Sequence, residues 1–161
     1  MENVVITIAR HFGSGGKTIG EMLAKDLGIH CYNREIIRMA SEDSGISEIL
    51  FNRADESHPE YKGKIIPPES DGFVSDKNLF NYQAKIIREL AERESCVIIG
   101  RAADYVLKDY DNVVRVYVHA SKEYCIKQTI ERRAYVGKDV ERFIAKTDKY
   151  RSDYYRYYTG R

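Results

Sequence analysis

Tryptophan is absent from this 161-residue chain, and cysteine and proline occur only three times each. The cysteines, Cys31, Cys96 and Cys125, are odd in number and widely separated. This spacing argues against a disulfide framework or a zinc site, and it is typical of small buried residues in a reducing compartment. We therefore expect a cytoplasmic protein.

Long apolar runs are missing too, so the sequence predicts no membrane-spanning helix. The N-terminus passes from Met1 almost directly into an apolar segment, without the basic flank or cleavage site of a signal peptide. Lysine and arginine total 26 against 25 aspartates and glutamates, which gives a formal net charge of +1. That balance gives no reason to expect a nucleic acid or an anionic membrane as a partner.

What the chain does contain is an alternation of short apolar segments and amphipathic ones. The apolar segments predict strands at 4–9, 29–32, 96–99 and 113–118. Helical spacing of apolar residues predicts helices over 19–27, 34–41, 77–94, 122–133 and 139–158, and residues 105–107 are predicted to form a short helix or a turn. This alternation predicts an α/β fold with a parallel β-sheet and helices on both faces, in which ligands bind beyond the carboxyl ends of the strands. Residues 56–76 hold all three prolines and predict a long, mobile loop.

A glycine-rich segment follows the first predicted strand and opens the first helix. Glycines let successive backbone amides curl around phosphate oxygens, and the helix N-terminus adds partial positive charge. Lys17 would reach the β- and γ-phosphates, and the Thr18 hydroxyl would bind Mg²⁺. His11 occupies the first glycine position of the usual pattern, and a plain strand-to-helix turn with a solvated lysine is the alternative. We predict a phosphate-binding loop (P-loop) made of Gly13, Ser14, Gly15, Gly16, Lys17 and Thr18.

At this point the sequence resembles the cytidylate kinase-like proteins of bacteria, which are divergent relatives of cytidylate kinase. The similar segments cover nearly the whole chain and are residues 6–16, 27–29, 32–37, 96–107 and 148–151, with the tyrosine-rich tail. The resemblance implies a P-loop NTPase of the nucleoside-monophosphate-kinase type, as a single domain over 1–161. It implies an NMP-binding insertion over 35–95 and a lid with its following helix over about 130–158. By this resemblance, the last strand and helix of such folds are missing here, through truncation or loss.

The resemblance also implies the site residues. By this resemblance, two pairs of residues contact the acceptor nucleotide: Asn33 with Arg34, and Gly100 with Arg101. Arginines of the lid region and beyond clamp the transferring phosphoryl group, and they are Arg132, Arg133 and Arg151. Phosphoryl transfer needs positioning and charge neutralisation more than covalent chemistry, and the planar fork of arginine binds phosphate with two hydrogen bonds. Arg34, Arg132 and Arg133 have a simpler alternative as solvated helix residues.

Two departures from the pattern bear on activity. Active relatives carry an acidic residue just before the Gly-Arg pair and another just after it, where this chain has Ile99 and Ala102. Asp104 could act as an outer ligand of Mg²⁺ or be a surface helix residue. The cofactor implied is Mg²⁺ with ATP.

Three functions stay open on the sequence. The first is ATP-dependent phosphoryl transfer to a nucleoside monophosphate, with CMP and dCMP as the acceptors that the resemblance suggests. The second is a nucleotide-binding or regulatory module with weak catalysis, and the third is a kinase for a small molecule other than a nucleotide. Ile99 and Ala102 favour the second or third, whereas Lys17 with the intact basic positions favours the first.

Overall fold

The computed structural model describes residues 3–54 and 76–161 of the chain. Within them, four parallel strands form one sheet. The strands are β1 (Val5–Arg10), β2 (His30–Tyr32), β3 (Cys96–Ile99) and β4 (Val113–Val118), and their order across the sheet is β2-β3-β1-β4. Ile8 pairs with Ile99 on one side and with Val116 on the other, so the loops after β1, β3 and β4 meet at one edge.

Seven helices connect or follow these strands in the described ranges. They are α1 (Gly16–Leu27), α2 (Glu35–Ser44), α3 (Glu48–Ala54), α4 (Asp76–Arg93), α5 (Ala103–Val106), α6 (Lys122–Glu131) and α7 (Val140–Thr159). Every predicted strand and helix is present, with ends that shift by at most three residues. Helix α3 was not predicted. The predicted long loop lies outside the described residues except for its last residue, Asp76, which begins α4.

The sheet is covered on both faces, as predicted. Alternate strand residues such as Val5 and Ile98 pack into a large core with α2, α4 and α7. Ile8 and Val97 point to the opposite face, where they pack with Ala24 of α1. No helix in the described ranges is long and apolar enough to cross a bilayer.

Helix α1 buries a face of small residues rather than large ones. Gly16, Gly20 and Ala24 are buried, whereas Ile19 and Met22 are exposed. A Cβ on Gly20 would lie 2.5 Å from the Cδ1 atom of Ile99, so the glycine lets this helix approach the sheet closely without displacing that side chain. The close approach fixes the N-terminus of α1 beside the carboxyl ends of the strands.

Candidate active site

The predicted phosphate loop runs from the end of β1 into α1. Gly13 and Gly15 have φ values of 80° and 89°, in the left-handed region that favours glycine. The Ser14 side chain is buried, and its hydroxyl donates to the carbonyl oxygen of His11 at 2.7 Å, which tightens the turn. Helix α1 then begins at Gly16. The first amides of a helix have no partner within it, so this terminus is suited to an anion.

Helix α7 holds the loop in place. The backbone N–H of Phe12 donates to the Asp148 carboxylate at 2.7 Å, and the guanidinium of Arg151 donates to the carbonyl oxygen of Arg10 at 3.3 Å. The same guanidinium lies 5.6 Å from the centre of the Phe12 ring. The structure therefore brings Arg151 to the loop. Asp148 was missed as a functional residue, although the Asp-x-x-Arg spacing that selected Arg151 contains it.

Thr18 and Arg132 meet at the end of the loop. The Arg132 guanidinium donates to the Thr18 hydroxyl at 2.7 Å. Arg133 is exposed and has a φ of 51°. Lys17 is the second residue of α1, and its exposed side chain lies 3.7 Å from the Glu21 carboxylate. The contact of Lys17 with phosphates stays a prediction.

Arg101 and Asn33 come together from the ends of two adjacent strands, β3 and β2. The Arg101 side chain is 1% exposed, and its Nη1 donates to Asn33 Oδ1 at 2.7 Å and to the Ile99 carbonyl oxygen at 3.3 Å. The backbone here is unusual, since Gly100, Arg101 and Ala102 have consecutive φ values of 67°, 56° and 53°. This left-handed run turns the chain sharply at the strand end.

Arg34 and Glu35 lie beside that pair, at the start of α2. Arg34 is the residue that precedes the helix, and its side chain is exposed. The Glu35 carboxylate accepts from the backbone N–H of Asn33 at 2.8 Å. Burial raises the pKa of Glu35, but hydrogen bonds from backbone amides and the charges of Arg101 and Lys17 outweigh burial, so its pKa is lower than usual. Glu35 is therefore a carboxylate that helps to fix Asn33.

A cavity of about 460 Å³ opens on the other side of the loop, between the strand ends and α7. The hydroxyl of Thr7, a residue 2% exposed, has no hydrogen-bond partner there. Asp104 accepts from the Tyr155 hydroxyl at 2.8 Å, and burial together with this bond raises the pKa of Tyr155 to about 12. The lining residues are Thr7, Ile8, Ala9, Arg10, His11, Gly100, Ala102, Asp104, Tyr117, Asp148, Arg151, Ser152, Tyr155 and Arg161. Of the predicted acceptor residues, Gly100 lines this cavity and Arg101 does not.

The described side chains do not form a Mg²⁺ site of their own. No group of three or more His, Cys, Asp or Glu side chains that could hold a metal occurs among them, and Ile99 and Ala102 are buried at the positions where active relatives carry acids. The predicted ligand, the Thr18 hydroxyl, already accepts a hydrogen bond from a cationic guanidinium. Magnesium normally keeps several waters and one or two carboxylates besides substrate phosphates. A protein-held ion is therefore not supported by these residues.

Comparison with known proteins adds the family. The model of the cytidylate kinase-like family matches residues 5–161. The chain is similar to an uncharacterized protein from Eubacterium ventriosum ATCC 27560, with a TM-score of 0.70 and 25% identity, over 99% of this chain and 80% of that one. It is also similar to shikimate kinase from Acinetobacter baumannii in complex with shikimate, with a TM-score of 0.50 and 18% identity over 98% and 80% of the chains. For a gluconokinase from Sinorhizobium meliloti 1021 the values are 0.49 and 17%, over 89% and 74%. No curated protein matches the chain.

Proposed function

Because the chain belongs to the cytidylate kinase-like family, we propose that it transfers the terminal phosphoryl group of ATP to a nucleoside monophosphate. CMP and dCMP are the first acceptors to test. The family and the kinase-type fold support phosphoryl transfer in general, and the choice of donor and acceptor is our proposal. The observation that carries it is the hydrogen bond from Arg132 to Thr18, since it holds a guanidinium at the mouth of the phosphate loop.

The donor phosphates would lie at the N-terminus of α1. The first amides of a helix have no partner within it, Arg132 contacts Thr18 of the loop, and Arg151 contacts the carbonyl oxygen of Arg10 at the end of β1. Charge on the transferring group spreads over its oxygens in the transition state, and fixed guanidinium groups stabilise that charge without reorganisation. Arg132 and Arg151 are thus the proposed clamp on the phosphoryl group. Arg133 is the weaker candidate for the clamp, because the contact with the loop is made by Arg132.

The acceptor would bind in the cavity beside the loop. A volume of about 460 Å³ lies within the usual range for small-molecule sites. Arg151 would face an acceptor phosphate, while the hydroxyl of Thr7 and the carboxylate of Asp104 would hydrogen-bond to acceptor hydroxyls. The Arg101–Asn33 pair would support the wall of the site through Gly100, and direct contact of Arg101, Asn33 or Arg34 with the acceptor stays a prediction.

Magnesium would bind together with the nucleotide rather than to the nucleotide-free protein. When bound, it would neutralise phosphate charge, and the triphosphate and water would supply most of its ligands. Thr18 is the residue best placed to reach it, because its hydroxyl oxygen has a second lone pair besides the one that accepts from Arg132.

The experiment is a coupled ADP-release assay with ATP and Mg²⁺, run with CMP, dCMP, UMP, AMP and simple polyhydroxy alcohols. A matched preparation of the Thr18→Ala, Arg132→Ala double variant controls for contaminating kinases. We expect turnover with a pyrimidine monophosphate that the control preparation lacks. Equal ADP release from both preparations with every acceptor would reject the proposal.

A second candidate, a nucleotide-binding module with weak catalysis, is favoured by the buried apolar residues Ile99 and Ala102 at positions where active relatives carry acids. It predicts measurable ATP affinity by calorimetry, with no acceptor-dependent ADP release. A third, a kinase acting on a non-nucleotide hydroxyl compound, is favoured by the Thr7 and Asp104 oxygens in the cavity. It predicts ADP release with an alcohol in the same assay.

A further inference from the structure

The stem of Arg10 occupies the space beside the first residue of α1. A Cβ built on Gly16 would lie 2.5 Å from the Cβ atom of Arg10 and 2.9 Å from its Cγ atom. Gly16 itself is buried and begins the helix. A side chain at position 16 would therefore overlap with the side chain of Arg10. Because residue 16 is glycine, the Arg10 side chain can occupy this space.

Lys17 does not compete for that space. It follows Gly16 in the helix, and successive helical residues point about 100° apart. Its side chain is 62% exposed and lies 3.7 Å from the Glu21 carboxylate, one turn further along the outer surface of α1. Position 10 is therefore better placed than position 17 to hold a cationic side chain at the mouth of the loop.

We propose that Arg10, rather than Lys17, supplies the loop's own positive charge to the terminal phosphates of the donor. This inference rests on the proposed function, because it assigns a residue to the donor site. Arg10 belongs both to the end of β1 and to the lining of the cavity, so it lies between the positions of donor and acceptor. Its carbonyl oxygen accepts from Arg151, which fixes the backbone from which the side chain projects.

An arginine here suits the chemistry. The guanidinium stays charged after dehydration and binds two phosphate oxygens at once. Asp148 and Arg151 line the same cavity as Arg10, and with Arg132 these residues would leave a net positive site for a triphosphate.

The test measures binding of ATP, ADP and inorganic tripolyphosphate by calorimetry to the full chain and six variants. We expect Arg10→Ala to weaken ATP and tripolyphosphate binding about tenfold to a hundredfold, and ADP binding less. Arg10→Lys should keep part of the affinity. Lys17→Ala should change affinity less than about threefold, because its partner is Glu21. Lys25→Ala, in the last turn of α1, is the control variant far from the phosphate loop.

The most decisive comparison moves the positive charge from position 10 to position 16. Arg10→Gly frees the shared space, and adding Gly16→Lys should restore ATP binding to within about tenfold of the original protein. A folded Arg10→Ala variant with unchanged affinity, or a Lys17→Ala loss equal to that of Arg10→Ala, would overturn the inference. A folded double variant that binds no better than Arg10→Gly would also overturn it. If the unmodified chain binds tripolyphosphate through Arg10 but does not bind ATP, the proposed function fails while this assignment stands.

Discussion

Arg132 donates a hydrogen bond of 2.7 Å to Thr18, although 114 residues separate them in the chain. One partner lies in the first turn of α1 and the other at the end of α6. The bond links the segment between α6 and α7, which the sequence predicted as part of a lid, to the predicted phosphate loop.

We expect Arg132→Ala to lower kcat about a hundredfold to a thousandfold, because a fixed cation at a developing charge contributes on that scale. Stability should change by less than about 0.5 kcal/mol, since the side chain is exposed. Steady-state kinetics and urea unfolding check both statements. Arg133→Ala should lose less activity, and Lys127→Ala, an exposed α6 residue that pairs with Glu131, should lose none. Equal kcat for the Arg132 and Lys127 variants would remove Arg132 from the clamp.

The Arg101–Asn33 pair should show strong energetic coupling. A buried hydrogen bond from a charged donor contributes about 1.5–3 kcal/mol, and its loss leaves the other partner unsatisfied. We expect Arg101→Met and Asn33→Ala each to destabilise the protein and the double variant to lose less than the sum. Urea unfolding of the four proteins measures the coupling. Additive losses would mean that the bond is not maintained in solution.

Asp148→Ala should loosen the phosphate loop from α7. Its carboxylate accepts from the Phe12 N–H at 2.7 Å, so its removal should cost about 1–3 kcal/mol and weaken tripolyphosphate binding. Thermal unfolding and calorimetry are the measurements. Asp153→Ala is the matched control, because this carboxylate pairs with the exposed Lys149 on the same helix. If the two variants behave alike, the Asp148 contact does not hold the loop.

Gly13→Ala should destabilise the protein by about 2–5 kcal/mol. A Cβ there would lie 2.6 Å from the carbonyl oxygen of Cys125 in α6, and φ is 80°. Gly45→Ala has a similar φ of 72° but open space around the new methyl group, so it should cost only about 1–2 kcal/mol. Chemical unfolding compares them. A loss at Gly13 no larger than that at Gly45 would contradict the close packing of the loop on α6.

Tyr155 should make stability fall at high pH. Its pKa rises to about 12 in the folded protein, whereas an unfolded tyrosine titrates near 10. Folding therefore favours the protonated form, and its contribution is complete below about pH 10 and lost as the pH rises towards 12. Unfolding measured from pH 8 to 12 should show a shallower decline for Tyr155→Phe than for the unmodified protein. Tyr157→Phe, at an exposed position of the same helix, should follow the unmodified curve.

Local pattern was sufficient for most of the fold. Strands and helices follow from periodicity, because alternating β-branched and amphipathic segments leave few other ways to bury apolar side chains. Helix α3 escaped prediction because it has seven residues, and its Phe51 is buried by packing against other helices rather than by a repeating pattern. The apolar residues Ile19 and Met22 marked α1 correctly but not its buried face, which close approach to the sheet assigns to glycine and alanine.

The sequence predicted which residues follow the strands but not the contacts that they make. Residues after parallel strands meet at one edge of the sheet, and the sequence predicted Asn33 and Arg101 at such strand ends. The bond between Phe12 and Asp148 spans 136 residues, and no local pattern encodes it. The cavity around Thr7 likewise depends on where α7 packs. The side chain of Arg10 was overlooked because its importance depends on the missing Cβ of Gly16.

The left-handed run at Gly100, Arg101 and Ala102 has a consequence for how this sequence can vary. An L-residue costs about 1–2 kcal/mol in that conformation, so Arg101 and Ala102 are both in a strained backbone conformation. In a library selected for heat resistance alone, glycine should become common at 102, where the alanine side chain makes no hydrogen bond. At 101, glycine would relax the chain but leave Asn33 without its guanidinium donor, so arginine should persist there. Comparing how often glycine is selected at positions 101 and 102 would show whether the Arg101 side chain or the relief of backbone strain contributes more to stability at this strand end.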